Sequence, residues 1–457
     1  WNLDLSVLYT NSSAVAESDS GSFATQAKLG TDIWVLDSIF EGALFESSGG
    51  MAKLAVGSQY RLEKFTAMSS TSFDGRENID RDISAVFAEL FVPLVGKGNE
   101  QWSARELELT IAARYEEYSD LGYSANPKLG LLWSPVEGVK FRSTYSRSFR
   151  APLLFDLSET TNPTGSTIYL VPDPFAGSAS TPALLLAGNN PDLKAERATN
   201  WTLGADFTPS LWPDLQVSLT YFDIDYTDQI QKVISPAEAG NALSERAYES
   251  IVTRSPDLEL INFWASQPNF RNPMGLSLED IDVLVDNRLH NILSVRERGL
   301  DFEINHWTNS VFGEFIFQIG GTYLLDLNSQ LTDTAESVEL LNTPYNPVDL
   351  KLRNSVVWNL NDFTANLAIY YVDSYKDKRN LEYERTISSW TTVDLNVRYN
   401  MDWSSASWLN NTTFSLSVSN LFDRQPPFVA NSQGYNFDAT NASAMGRRIS
   451  IDIRKQW

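Results

Sequence analysis

The sequence predicts an all-β fold, a transmembrane antiparallel β-barrel, on three observations. Apolar and polar residues alternate with period two along most of the chain, connections alternate between short and long, and aromatic residues gather near strand ends.

Alternation comes first. In the closing stretch "GRRISIDIRKQW", Ile449, Ile451, Ile453 and Trp457 share one face of an extended chain while Ser450, Asp452, Arg454 and Gln456 share the other. In "ELELTIAARYEE", Leu107, Leu109, Ile111, Ala113 and Tyr115 oppose Glu106, Glu108, Thr110, Arg114 and Glu116. "NWTLGADFT" and "TTVDLNVRY" read the same way. This predicts about sixteen strands, near 2–10, 24–40, 51–65, 80–94, 104–118, 124–134, 138–149, 198–209, 214–228, 292–307, 311–326, 348–360, 363–375, 387–400, 411–421 and 446–457. The phase breaks in "YFDIDYTD" and "SVRERGLDFEI", as expected where a strand projects beyond the bilayer and needs no apolar outer face.

Connections give the second observation. "SPVEG", "TPSLWPD", "HWTNS" and "NLND" take every second place as short turns, and the places between hold stretches as long as 150–197 and 229–291. Bacterial membrane barrels segregate short periplasmic turns from long extracellular loops in this way. Among the aromatics, Trp133, Trp201, Trp212, Trp307, Trp358, Trp390, Trp403, Trp408 and Trp457 fall near strand ends, where amphipathic rings form belts at the two headgroup levels. Hydrocarbon offers no partner to a free backbone N–H or C=O, so the strands must close into a ring.

Composition narrows the function. A net charge of −23 argues against nucleic acid as a partner, because phosphates need a basic surface. With no cysteine there is neither thiol chemistry nor a disulfide framework. Two separated histidines, His290 and His306, give no metal-ligand spacing and support no Ser/His/Asp set. No catalytic residue, metal site or cofactor motif is expected.

The specific signals are "NPKLGLLWSP" at 126–135, "VKFRSTYSRSFRAPLLFDL" at 139–157, "NPDLKAERATNWTLGADFTP" at 190–209 and "SNLFD" at 419–423, in this order before a terminal aromatic strand. Together, from about residue 50 onward, they resemble the C-terminal barrel region of TonB-dependent outer-membrane receptors. The resemblance implies a 22-stranded ring plugged by an N-terminal domain, of which about sixteen strands stand here, in the outer membrane of a Gram-negative bacterium. It implies no enzyme but a receptor that binds a scarce small ligand and imports it with force from the TonB complex, delivered through a plug that would precede this chain. The terminal Trp457 stands where the family usually has Phe, and Ala195 where it commonly has Pro.

Within the matched stretch Arg150 and Glu196 flank the long loop 150–197 and are expected to clamp its base. The 229–291 loop is the expected recognition element. It predicts one helix capped by Ser235 with Pro236 in its first turn, and another capped by Ser277. Between them Phe263, Trp264 and Phe270 have two readings, stacking on a flat ligand or sugar ring, or forming the loop's own small core. The ligand class stays open among oligosaccharides, peptides, iron chelates and cobalamin-like cofactors, with a slight lean toward sugars or peptides. Two other functions fit the strand count, a complete passive porin of about sixteen strands and a surface adhesin.

Overall fold

The computed structural model describes residues 1–19, 24–69, 75–159, 164–173, 180–234, 243, 246–332, 335–378, 384–401, 411–430 and 436–456. Ser235, Pro236, Trp403, Trp408 and Trp457 lie outside the described residues.

The wall begins with β1 (Asn2–Asp19), β2 (Ala24–Ser47), β3 (Gly50–Ser69), β4 (Gly75–Val95), β5 (Glu106–Tyr118), β6 (Gly122–Val136) and β7 (Val139–Arg150). A first long connection holds helix α1 (Leu154–Leu157), β8 (Gly165–Pro172) and β9 (Ser180–Gly188). The wall resumes with β10 (Glu196–Phe207) and β11 (Leu215–Lys232), and a second long connection holds β12 (Val252–Arg254), helix α2 (Leu258–Ala265) and β13 (Phe270–Arg271). Then come β14 (Val283–Ser310), β15 (Gly313–Gln330), β16 (Val338–Glu339), β17 (Leu350–Leu360), β18 (Phe363–Val372), β19 (Tyr375–Asp377), β20 (Arg385–Ile387), β21 (Trp390–Met401), β22 (Thr412–Ser419) and β23 (Arg448–Lys455).

Setting aside the connection strands β8, β9, β12, β13, β16, β19 and β20, sixteen strands form the wall, each antiparallel to the next from β1–β2 to β22–β23. The registers put Leu109, Leu203, Leu395, Leu416 and Ile451 on one face and Glu108, Asp206, Asp394, Ser415 and Asp452 on the other. The apolar face is bare, with Leu203 59% and Ile451 73% exposed, an apolar surface that only lipid can cover.

The opposite face is laced with ion pairs. Arg142 holds Asp206 at 2.8 Å and also donates to Ser218 and Thr220, and a β-carbon at Gly204 would lie 2.9 Å from its guanidinium carbon. That close approach is why a glycine interrupts the strand there.

Two belts of aromatic rings bound the lipid face. At one end Trp1 stacks on Phe40 at 4.6 Å, Trp133 on Phe141 at 5.4 Å and Phe315 on Trp358 at 6.3 Å. At the other Tyr9 meets Trp34 at 4.4 Å and Tyr115 stacks on Tyr123 at 6.0 Å, while the Tyr145–Trp201 pair lies between the two belts. Trp1 to Tyr9 is a run of nine residues, about the length with which a tilted strand crosses the hydrocarbon. Trp307 and Trp390 do not join these belts, because their registers opposite Ile316 and Val372 turn them to the lumen face.

The strands run longer than the alternation suggested, β14 to 28 residues where about ten span a bilayer. The excess lies at the long-loop end. There Asp223 comes after Tyr221 on the outer face and pairs with Arg296 at 2.7 Å, so the broken alternation marks wall beyond the lipid.

Two expected elements differ. "HWTNS" is strand, and the turn falls at Val311–Phe312, where Gly313 supplies φ +104. Ser277 does cap, accepting from the Glu279 N–H at 3.3 Å, but the element it caps is a three-residue 3-10 turn. The run Val283, Leu284, Val285 instead pairs with β9 and β12, since a β-branched alternating run packs better between two strands than in a helix.

Candidate functional site

The two long connections meet in one small sheet. β8 pairs antiparallel with β9, β9 parallel with the start of β14, β14 antiparallel with β12, and β13 parallel with β8. Alternate residues feed two cores, one on each face. Val171, Ala183, Val283 and Val285 join Val233, Ile234 and Ile251 on one side. Ile168, Leu184, Leu186 and Leu284 join Ile261 of α2 and Ile281 on the other. Arg254 reaches Asp173 at 2.7 Å, an ion pair from the second connection to the first.

The three aromatics differ in burial. Trp264 and Phe270 pack against the α2-side core, and the Arg288 guanidinium lies 5.2 Å from the Trp264 ring centre. Phe263 is 53% exposed and lies 5.1 Å from Trp264 in an edge-to-face arrangement. Phe263 is the most exposed of the three, and Trp264 and Phe270 are half-buried.

At the base of the first connection Arg150 and Glu196 are opposed in register and 3.2 Å apart. Glu196 is 1% exposed and also accepts from the Tyr226 hydroxyl and the Ile230 N–H, each at 2.8 Å. Just inside, α1 lays Leu154 and Leu157 with Leu193 against Phe65 and Ala67, so the connection turns inward across the mouth of the wall. Beneath it lies a cavity of about 930 Å³ lined by Arg61, Glu63, Arg81, Arg114, Glu116 and Arg150. Arg81, 2% exposed, grips Asp120 and donates to the Pro152 carbonyl at 2.9 Å, which fixes the loop over the cavity. Sequence reasoning missed Arg81; its signal is the alternation of "NIDRDISAVF", which puts it on the inner face with Ile83.

A second loop cluster is held by Asp438, 1% exposed. It accepts from the Tyr375 hydroxyl at 2.8 Å and from the Tyr345 N–H, Asn441 side chain and Thr440 N–H, each at 2.9 Å. Burial alone would push this carboxyl up, but the four hydrogen bonds outweigh it and hold it below the usual range.

A lipid-faced wall with paired aromatic belts and elaborate loops at one end defines an outer-membrane barrel with a receptor's loop architecture. The family profile described as TonB dependent receptor-like, beta-barrel, matches residues 1–421, and the chain belongs to that family, whose barrels lie in the outer membrane of Gram-negative bacteria. The match begins at Trp1, well before the motifs that carry the resemblance.

Among solved structures, the siderophore receptor PirA from Acinetobacter baumannii superposes with a TM-score of 0.63 at 15% identity, covering 99% of this chain and 59% of that one. A mutant ferric enterobactin receptor PfeA from Pseudomonas aeruginosa, in complex with enterobactin, gives 0.63 at 17% identity with 99% and 59% coverage. The copper transporter OprC gives 0.57 at 12% identity with 99% and 62% coverage. The chain thus spans less than two thirds of these proteins' own lengths, and at such identities the likeness is one of fold. Comparison with curated proteins gives no match.

Proposed function

We propose that this chain is the barrel portion of a TonB-dependent importer that captures a scarce small ligand at the cell surface, with its long connections, 150–197 and 229–291, facing outward. The observation that carries the reading is the shared sheet. Two connections that a pore could leave independent are paired strand to strand, packed on two cores and clamped at Arg150–Glu196 over the lumen mouth. Such a platform presents Phe263 rigidly, and recognition residues sit best on loops held by a stiff scaffold. Ligand held there would pass to the arginine-lined cavity and then inward, driven by TonB acting on a plug.

A passive sixteen-stranded porin would instead need β1 bonded to β23, since hydrocarbon tolerates no open sheet edge. Among the described residues no ladder joins them, and residues 2–15 and 448–454 are exposed without a break, which supports the receptor reading.

The test is depletion of small molecules from growth medium by cells making the whole protein, with and without a functional TonB complex. A compound removed only when both are present supports active import. Equal removal without TonB would replace the importer with a pore, and binding without removal would leave an adhesin.

A further inference from the structure

We propose that this barrel pairs with a second copy of itself in the membrane, through the lipid face of β15, β17 and β18, with Asn354 at the centre of the contact. On β17 the residues that face lipid are Trp358, Val356, Asn354, Leu352 and Leu350. Trp358 stacks with Phe315 in the belt at the short-turn end, and Leu350 lies opposite Tyr323 toward the other. Trp358 to Leu350 is a run of nine residues, about the length with which a tilted strand crosses the hydrocarbon. Asn354 is the middle residue of that run, so its amide stands near the bilayer midplane.

Nothing around it answers an amide. The registers set Asn354 between Ile319 on β15 and Ile369 on β18, both exposed, and Leu352, Val356 and Leu367 complete an aliphatic surround. Among the described residues no group hydrogen-bonds the Asn354 side chain, although Ser355, next to it and turned to the lumen, donates to Gln318 at 3.0 Å. Polar groups elsewhere on the lipid face answer one another: the Ser38 and Ser58 hydroxyls, opposed in register, bond at 2.9 Å. Among the described residues Asn354 is the one side-chain amide on the lipid face between the belts.

Lipid tails offer neither donor nor acceptor, and an amide left unpaired in hydrocarbon is costly. The oxygens of a lipid lie at the two ends of the strand, half a bilayer away, so the partner at this depth is protein. The chemistry selects a second copy. An amide carries both an N–H donor and a C=O acceptor. A two-fold axis along the membrane normal sets a residue beside it opposite its own copy at the same height. Two Asn354 side chains there form a reciprocal pair of hydrogen bonds. The surround also suits itself, because between the belts the lipid face of β15, β17 and β18 carries no charge. Contacts between membrane segments gain no hydrophobic drive over lipid, so the amide pair supplies the specificity that aliphatic packing lacks.

The experiment has two arms, both on the whole protein. In outer-membrane vesicles, Asn354→Cys and Leu109→Cys, the latter on the lipid face of β5, are oxidised beside the parent protein and run on non-reducing gels. This chain carries no cysteine, so each introduced thiol reports its own position. A disulfide-linked species of twice the mass is expected from Asn354→Cys and not from Leu109→Cys. In the second arm, wild type and Asn354→Leu, each labelled with donor and acceptor dyes, are reconstituted in phospholipid vesicles, and energy transfer is followed as lipid dilutes the protein. Transfer in wild type, with a dissociation constant about tenfold higher in Asn354→Leu, is expected. Wild type that stays monomeric, equal association of Asn354→Leu, equal crosslinking through Leu109→Cys, or a crosslink to a protein of another mass would each overturn the proposal. Heat-modifiable gel mobility checks that all variants are folded. The readout is association, so loss of TonB-dependent uptake with pairing intact would strike the importer reading alone.

Discussion

Arg150 and Glu196 face each other across the last pair of the β7–β10 ladder, 3.2 Å apart, with 58% of one side chain exposed and 2% of the other. The asymmetry decides which partner matters. Glu196→Ala strands the Tyr226 hydroxyl and the Ile230 N–H and is expected to cost about 1–3 kcal/mol locally, whereas Arg150→Ala removes a half-solvated partner worth about 0–1 kcal/mol. Limited proteolysis of 151–195 should accelerate strongly in the first and barely in the second. Equal acceleration would mean that the ion pair, not the buried acceptor, holds the loop.

On α2, Phe263→Ala is expected to weaken capture of whatever compound the depletion test identifies about tenfold, the worth of one stacked ring, without loosening the loops. Trp264→Ala, truncating a ring packed on the loop core, should destabilise that core by about 3 kcal/mol and expose 165–188 to protease. A binding loss confined to Trp264→Ala would remove Phe263 from the recognition surface.

The two faces of β22 give a sharper contrast. Leu416→Lys puts an ammonium into lipid and is expected to cost about 2–4 kcal/mol, falling if the site lies nearer an interface, while Ser415→Lys on the lumen face costs little. Urea titration of folding into bilayers reads both. Comparable costs would contradict the assigned faces.

Asp438 predicts an acid response in the second loop cluster. Its carboxyl is depressed in the folded protein, so the stabilisation is complete above the unfolded value and is lost as pH falls through the folded one. Hydrogen exchange at Tyr345 and Thr440 should therefore quicken on acidification below the ordinary carboxylate range. Asp438→Asn should show quick exchange at neutral pH and little further response. A wild-type profile flat in acid would assign the cluster's order to its apolar contacts, Val348, Ile387 and Val429.

The wall was legible because its physics is local. Lipid demands an apolar residue at every second position, and Ile449, Ile451 and Ile453 state that demand in five residues. The loops were legible only in part. The aromatic stretch at 263–270 announced burial or recognition, but no local signal pairs Val283–Arg288 with Ala183–Gly188, because those partners lie about a hundred residues apart. Ser277 cast its vote for a helix and kept its cap, yet the strand beyond it was settled by neighbours outside any sequence window. Arg81 was missed for the same reason, its partners Asp120 and Pro152 being remote in the chain.

Parallel pairing between β9 and β14 also bears on how the chain folds. Between these strands the chain makes β10 and β11, so their pairing closes a loop that passes through the wall and back. Closing so long an intervening loop carries an entropic cost that no contact repays until the wall is in place. The sheet formed by the two long connections is therefore expected to order after the wall. Conditions that slow insertion should leave a fully spanning intermediate, protease-sensitive at the surface and deaf to its ligand.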